Sequence, residues 1–201
     1  MKNSILLAVC LVLLAGCGIN KQLERAKAFE KCRYEITSAD SLYLAGINVM
    51  DVIRSKNTNL VSAPRLALAL LRKDVPLEGK INLQIKNPSA ALAAINQFEY
   101  KILLKDQELA NGIVDRAIEV QPNGGVTTVP LKINANIYGL ISDSKSQRAI
   151  ADFFSGGSGS NSDKKSIVTI KIKPTIGMGN KLIKYPGYIT IDKEITSKIL
   201  L

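Results

Sequence analysis

Histidine is absent from all 201 residues. That absence removes the commonest general base, the serine and cysteine nucleophiles that rely on imidazole, and most zinc sites. The groups left to do chemistry are three cysteines, Cys10, Cys17 and Cys32, and scattered carboxylates such as Asp192 and Glu194. Those two carboxylates stand at i and i+2 in a strand-like stretch, so both are expected to face solvent. Cys-x-x-Cys and calcium-loop spacings do not occur, and the glycine cluster FSGGSGSNSD follows a helical stretch and precedes a strand, the wrong context for cradling phosphate. The expectation is a protein that is not an enzyme, with no catalytic, cofactor or metal site.

Cys17 has the most distinctive surroundings. A single positive charge at Lys2 precedes an unbroken apolar run from Ile5 to Ala15, and polar residues return at Asn20, Lys21 and Gln22. A basic tip followed by an apolar segment of about 7 to 15 residues is the order of a secretory signal, whereas a bilayer-spanning helix needs about 20 apolar residues. Leu14-Ala15-Gly16-Cys17 resembles the lipobox of bacterial lipoproteins, in which the cysteine thiol receives a diacylglycerol before cleavage. Residues 1–16 are therefore expected to be a lipoprotein signal peptide and Cys17 the lipid attachment site. Each buried methylene of an acyl chain contributes about 0.8 kcal/mol, so a multiply acylated Cys17 would hold the chain on a membrane. Gly18, rather than aspartate, follows it, which by resemblance to lipoprotein sorting implies the outer membrane.

An exported chain whose other cysteines are so disposed has only Cys32 left, and no internal disulfide can stabilise it. Cys32 alternates with Tyr34 and Ile36 in KCRYEI and reads as a small core residue. The charge is lopsided, 27 basic against 17 acidic residues. The basic residues are scattered lysines without an arginine cluster or aromatic interleaving, and export argues against nucleic acid as a partner. Anionic lipid headgroups, which attract basic residues by about 1 kcal/mol each, and envelope proteins are the partners expected beside the membrane itself.

The elements that would position these residues are mostly strands. Residues 17–31 read as a lipid-anchored tether or short helix, and CRYEITSADSLYLAGINVMDVI as two strands parted by TSAD. Ser62, Pro64 and the Ala/Leu run predict a helix near 62–73, stopped by Pro76 and Gly79. Ile81, Leu83 and Ile85 alternate with Asn82, Gln84 and Lys86; Phe98, Tyr100, Ile102 and Leu104 alternate with Glu99 and Lys101, while Leu103 departs from the pattern. LANGIVDRAIEV reads as a strand with a bulge or bend at Asn111-Gly112, QPNGG as a turn, and Pro130 as the mark of an edge strand or irregularity. A helix carrying Ile150, Phe153 and Phe154 inward and a flexible loop at 155–166 precede the strand IVTIKIKPTI, which puts Val168, Ile170 and Ile172 on one face and Thr169, Lys171 and Lys173 on the other. The density of short strands and turns predicts an all-β antiparallel sandwich with one or two short helices, filling residues 32–201.

Ile81 to Leu140 carries a series of motifs in order: Asn87-Pro88 ending a strand, Tyr100 in the next, Leu109-Ala110-Asn111-Gly112 after a hairpin, and Thr128-Val129-Pro130 after a glycine turn. This order resembles the late embryogenesis abundant group 2 family, also called the water stress and hypersensitive response domain. The inserted helix near 62–73 and the Ser/Gly loop depart from the plant type, and KYPGYI together with the lipobox looks more like a lipid-anchored bacterial branch. The resemblance implies an immunoglobulin-like or fibronectin III-like sandwich without enzymatic activity, associated with desiccation and protective or structural in role. An envelope lipid-binding or assembly module is the alternative, and it would require an apolar groove between the sheets or an exposed apolar patch.

Overall fold

The structure is a computed structural model, and it describes residues 20–49, 64–104, 106–142, 166–178 and 181–195. The chain is predominantly β, with every registered strand pairing antiparallel. Eleven strands are described: β1 Arg33–Leu44, β2 Ile47–Asn48, β3 Pro76–Lys86, β4 Ala93–Ile95, β5 Gln97–Leu104, β6 Gln107–Val114, β7 Ile118–Val120, β8 Val126–Asn136, β9 Ser166–Met178, β10 Lys181–Lys184 and β11 Ile189–Ile195. Helix α1 covers 20–30, α2 is Pro64–Leu71 and α3 is Tyr138–Ser142.

One sheet has the order β2-β1-β3-β8 and the other β10-β9-β5-β6, with β11 also pairing β9; β4 and β7 form a small third sheet. Alternation explains the stacking of the two large sheets. Ile81, Leu83 and Ile85 of β3 and Val129, Leu131 and Ile133 of β8 turn inward, as do Phe98, Tyr100, Ile102 and Leu104 of β5 and Val168, Ile170 and Ile172 of β9. They join one continuous core, which is the all-β sandwich expected from the pattern.

Several expected boundaries fall elsewhere. TSAD does not separate two strands: β1 runs through it as one strand and pairs with β3 on both sides of two register shifts, at Ile36/Ser38 and Asp40/Tyr43. Thr37 Oγ1 donates to the Asn82 carbonyl, while Asn82 Nδ2 donates to Ser38 and Asp40, so the three polar residues of TSAD are engaged by the neighbouring strand. The chain reverses later, at Ala45-Gly46, where both residues have positive φ as a two-residue hairpin turn demands. Pro76 and Gly79 do not stop α2 either. Helix α2 ends at Leu71 and is closed by Lys73, whose φ is 55° and whose N–H bonds the Leu70 carbonyl while the Asp74 N–H bonds that of Ala69, a Schellman arrangement. Pro76 and Gly79 belong to β3.

Asn111-Gly112 is not a bulge. The register is unbroken there, Lys101 opposite Asn111 and Tyr100 opposite Gly112, and the irregularity falls at Ile102/Leu103. Leu103, the residue that departs from the alternation, is buried opposite Thr169 of β9, outside the main core cluster. LANGIVDRAIEV is accordingly two strands, β6 and β7, and β7 pairs with β4 instead. QPNGG does turn, with Asn123 and Gly124 at positive φ, and β8, which carries Pro130, is an edge strand. The predicted helix with Ile150, Phe153 and Phe154 and the loop at 155–166 lie outside the described residues.

Candidate functional site

Cys17 and the signal segment 1–16 lie outside the described residues, whereas helix α1, a few residues downstream, is placed. Helix α1 buries Ala26, Ala28 and Phe29 in the common core, so the far part of the expected tether is packed on the domain. Phe29 meets Tyr34 edge to face at 5.9 Å, the Tyr34 hydroxyl donates to the Phe29 carbonyl, and Tyr185 Oη donates to Glu30 at 2.7 Å. The Glu30 carboxylate, by accepting that bond, raises the Tyr185 pKa. Among the described residues no helix is long and apolar enough to cross a bilayer.

Cys32 follows α1 and is 7% exposed, with its thiol directed at the Ala28 carbonyl, 3.4 Å away. Burial pushes its pKa up to about 11, so the thiolate needed for reactivity is suppressed. Cys32 is a core residue, as its alternation predicts. Tyr34 is likewise shifted upward, mainly by burial and then by the nearby Cys32 and Glu30.

Groups of three or more metal-ligating side chains are absent among the described residues. Asp192 and Glu194 are exposed on β11 as expected, and Asp192 accepts a 2.6 Å bond from Thr169 on the neighbouring strand. Thr169 shares the outward side with Lys171, yet it is buried. Asn87 is fully buried, and all its polar atoms serve the backbone and the adjoining turn: Nδ2 donates to the Ala91 and Val120 carbonyls, and Oδ1 accepts from Ser89. Its role is to end β3 and hold the loops beside it.

A shallow depression of about 320 Å³ lies on the outer side of the β1-β3-β8 sheet, between Tyr43, Glu78, Lys80, Lys132 and Asn134. The space between the sheets, where a lipid groove would lie, is filled by fully buried Phe98, Leu83, Ile102, Leu131, Ile170 and Ile172.

The outward side of the β10-β9-β5-β6 sheet carries more organised electrostatics. Lys184 of β10 pairs with Glu99 of β5, and Lys101 pairs with Glu108 at 2.8 Å. These hydrogen bonds lower both glutamate pKa values and raise both lysine values. Lys173 lies over the Tyr188 ring, 5.3 Å from its centroid. The outward orientation of Lys101, Lys171 and Lys173 is legible from alternation; the contact with Tyr188 and the meeting of β5 with β9 are not.

No known family profile matches the chain, and no curated protein matches it. Several solved structures match it at low identity. A protein from Archaeoglobus fulgidus is 18% identical over 60% of this chain and 85% of its own, with a TM-score of 0.32. A solution structure provisionally assigned to a late embryogenesis abundant (LEA) protein is 17% identical over 92% of this chain and 87% of its own, with a TM-score of 0.31. A FixG-related protein from Vibrio parahaemolyticus is 17% identical over 63% and 82%, with a TM-score of 0.20. At these TM-scores none of them bears on the function of this chain.

Proposed function

We propose that this protein is a non-enzymatic β-sandwich domain of the cell envelope, tethered to the outer membrane by a lipid on Cys17, and protective or structural in role during water stress. The observation that carries the reading is the docking of α1. The described part of this helix, residues 20–30, is fastened to the core by Ala26, Ala28 and Phe29. A lipid at Cys17 would therefore hold the sandwich close to the bilayer instead of trailing it on a long free linker. A filled interior favours a protein that works through its surfaces. The stress association comes from the motif series between Ile81 and Leu140, as a resemblance.

The test compares the native chain with Cys17→Ser in cells fed an alkyne palmitate. The native chain is expected to take up the label and fractionate with membranes, and the variant to do neither. Equal labelling of the variant would exclude Cys17 as the lipid site. Survival of drying by cells lacking the protein, restored by the native chain and not by Cys17→Ser, tests the protective role.

A further inference from the structure

Strand register sets two rows side by side on the outward side of the five-strand sheet. One row is Ile113, Glu99 and Lys173, extended by Tyr188 through the cation-π contact. The next row is Asn111, Lys101, Lys171 and Thr190. Lys101 and Lys171 are thus directly opposite each other, an arrangement of like charges that costs stability in an isolated sheet. Glu108 and Glu99 pair with Lys101 and Lys184, Lys173 stands opposite Glu99 and feels its charge, and Lys171 forms no ion pair among the described residues. Of the other acids of this side, Asp192 lies opposite Thr169 at the middle of β11, one outward position along from the Thr190–Lys171 pair, and Glu194 lies further on, opposite Ile167.

Apolar groups interrupt the lysines. Leu182, two residues before Lys184 and on the same side of β10, is 59% exposed; Ile113 is 53% and Tyr188 43% exposed. Single exposed apolar residues are ordinary, but three of them around four lysines on one pleated surface form a mixed basic and apolar patch. Lysine stems can lie along an apolar phase while their ammonium groups stay at headgroup level, and tyrosine favours the same interface. The position of the patch adds a second argument. Tyr185, between Lys184 and Tyr188, bonds Glu30 at the end of α1, so the patch adjoins the helix that leads back to Cys17.

We infer that the outward side of the β10-β9-β5-β6 sheet, through Lys101, Lys171, Lys173, Leu182, Lys184 and Tyr188, lies against an anionic phospholipid bilayer. Charge complementarity selects the occupant: four lysines against Glu99, Glu108 and Asp192 leave the patch net positive, which fits a surface of negative headgroups. The inference deepens the membrane-tethered reading and rests on it.

The chain contains no tryptophan, so one introduced by Tyr188→Trp reports alone. Tyr43→Trp, on the outward side of the other sheet, is the control. The full chain, matured in membranes, is reconstituted into vesicles of phosphatidylglycerol or of phosphatidylcholine carrying brominated acyl chains. Tyr188→Trp is expected to emit further to the blue and to be quenched in phosphatidylglycerol only, with Tyr43→Trp unaffected in both. Adding Lys171→Ala and Lys173→Ala should shift the docked-to-free ratio by about thirtyfold, roughly fivefold for each lysine. Equal quenching in both lipids, quenching of Tyr43→Trp instead, or indifference to the lysine substitutions would overturn the inference. A chain that floats with the vesicles but leaves Tyr188→Trp unquenched overturns this face alone and points to a protein partner. A chain that fails to float removes the tethered reading as well.

Discussion

Tyr100 and Gly112 stand directly opposite each other on β5 and β6, and the phenol occupies the space a Gly112 side chain would need: a Cβ there would come within 2.4 Å of Tyr100 Oη. The tyrosine crosses its neighbour strand and donates to the Lys132 carbonyl of β8 at 2.8 Å, linking the two sheets on the side where β6 adjoins β8. Glycine is required at 112 for room.

Gly112→Ala is accordingly expected to destabilise the domain by about 1 to 3 kcal/mol through overpacking. Tyr100→Phe should cost about 1 kcal/mol, the lost bond to Lys132. Because it also removes the atom nearest to position 112, Gly112→Ala should cost less in the Tyr100→Phe background. Equal costs in both backgrounds by chemical denaturation would show that the two positions are independent.

Asn87→Ala removes bonds of 2.8 and 3.0 Å to the Ala91 and Val120 carbonyls and bonds of 3.0 and 2.7 Å from Ser89. With these buried groups left unpaired, the loss should reach about 2 to 4 kcal/mol. Asn87→Asp keeps the acceptor, lacks the donors and buries a charge, so it should be no milder. A thermal midpoint unchanged by either substitution would contradict the network.

Phe29→Ala tests whether α1 is docked. A fully buried phenylalanine cut to alanine costs about 3 to 5 kcal/mol, and amide exchange in 20–30 should accelerate with it. A free tether would show no change in unfolding free energy.

Alkali should weaken the fold before mild acid does. Burial lifts the Cys32 pKa from 9.0 to about 11, and Tyr34 is shifted in the same direction. The folded state therefore holds its proton where the unfolded state has released it. This contribution to stability is intact below about 9, and it is lost as pH rises through the folded value near 11. Denaturation midpoints recorded across that interval should fall, and Cys32→Ala should reduce the slope. A thiol reagent at about pH 8 should label Cys32 only at the rate of unfolding.

The inward faces of β3, β5 and β9 were legible because strand geometry exposes alternate residues to opposite sides, and Ile81, Leu83 and Ile85 or Val168, Ile170 and Ile172 follow that period. TSAD was illegible for a physical reason: four small residues, three of them polar, resemble a turn until Asn82 is found bonding all three polar ones. Asn111-Gly112 carried a bend signal for the same reason, and the tyrosine that needs the glycine's space lies eleven or twelve residues earlier in the chain. The patch residues were partly legible, since alternation turned Lys101, Lys171 and Lys173 outward, but nothing local brought them together.

By itself the sequence determined an all-β class, the turn at QPNGG, an edge strand at Pro130, a core role for Cys32 and the exclusion of imidazole chemistry, all of which depend on residue type and short-range period. Tertiary structure alone decided that β9 lies between β5 and β11, that Lys101 faces Lys171, and that α1 packs on the sandwich beside Tyr185. Lys101 and Lys171 are 70 positions apart and Glu30 and Tyr185 are 155, and the free energy that joins them comes from burying the whole core at once, a quantity no short window of the chain contains.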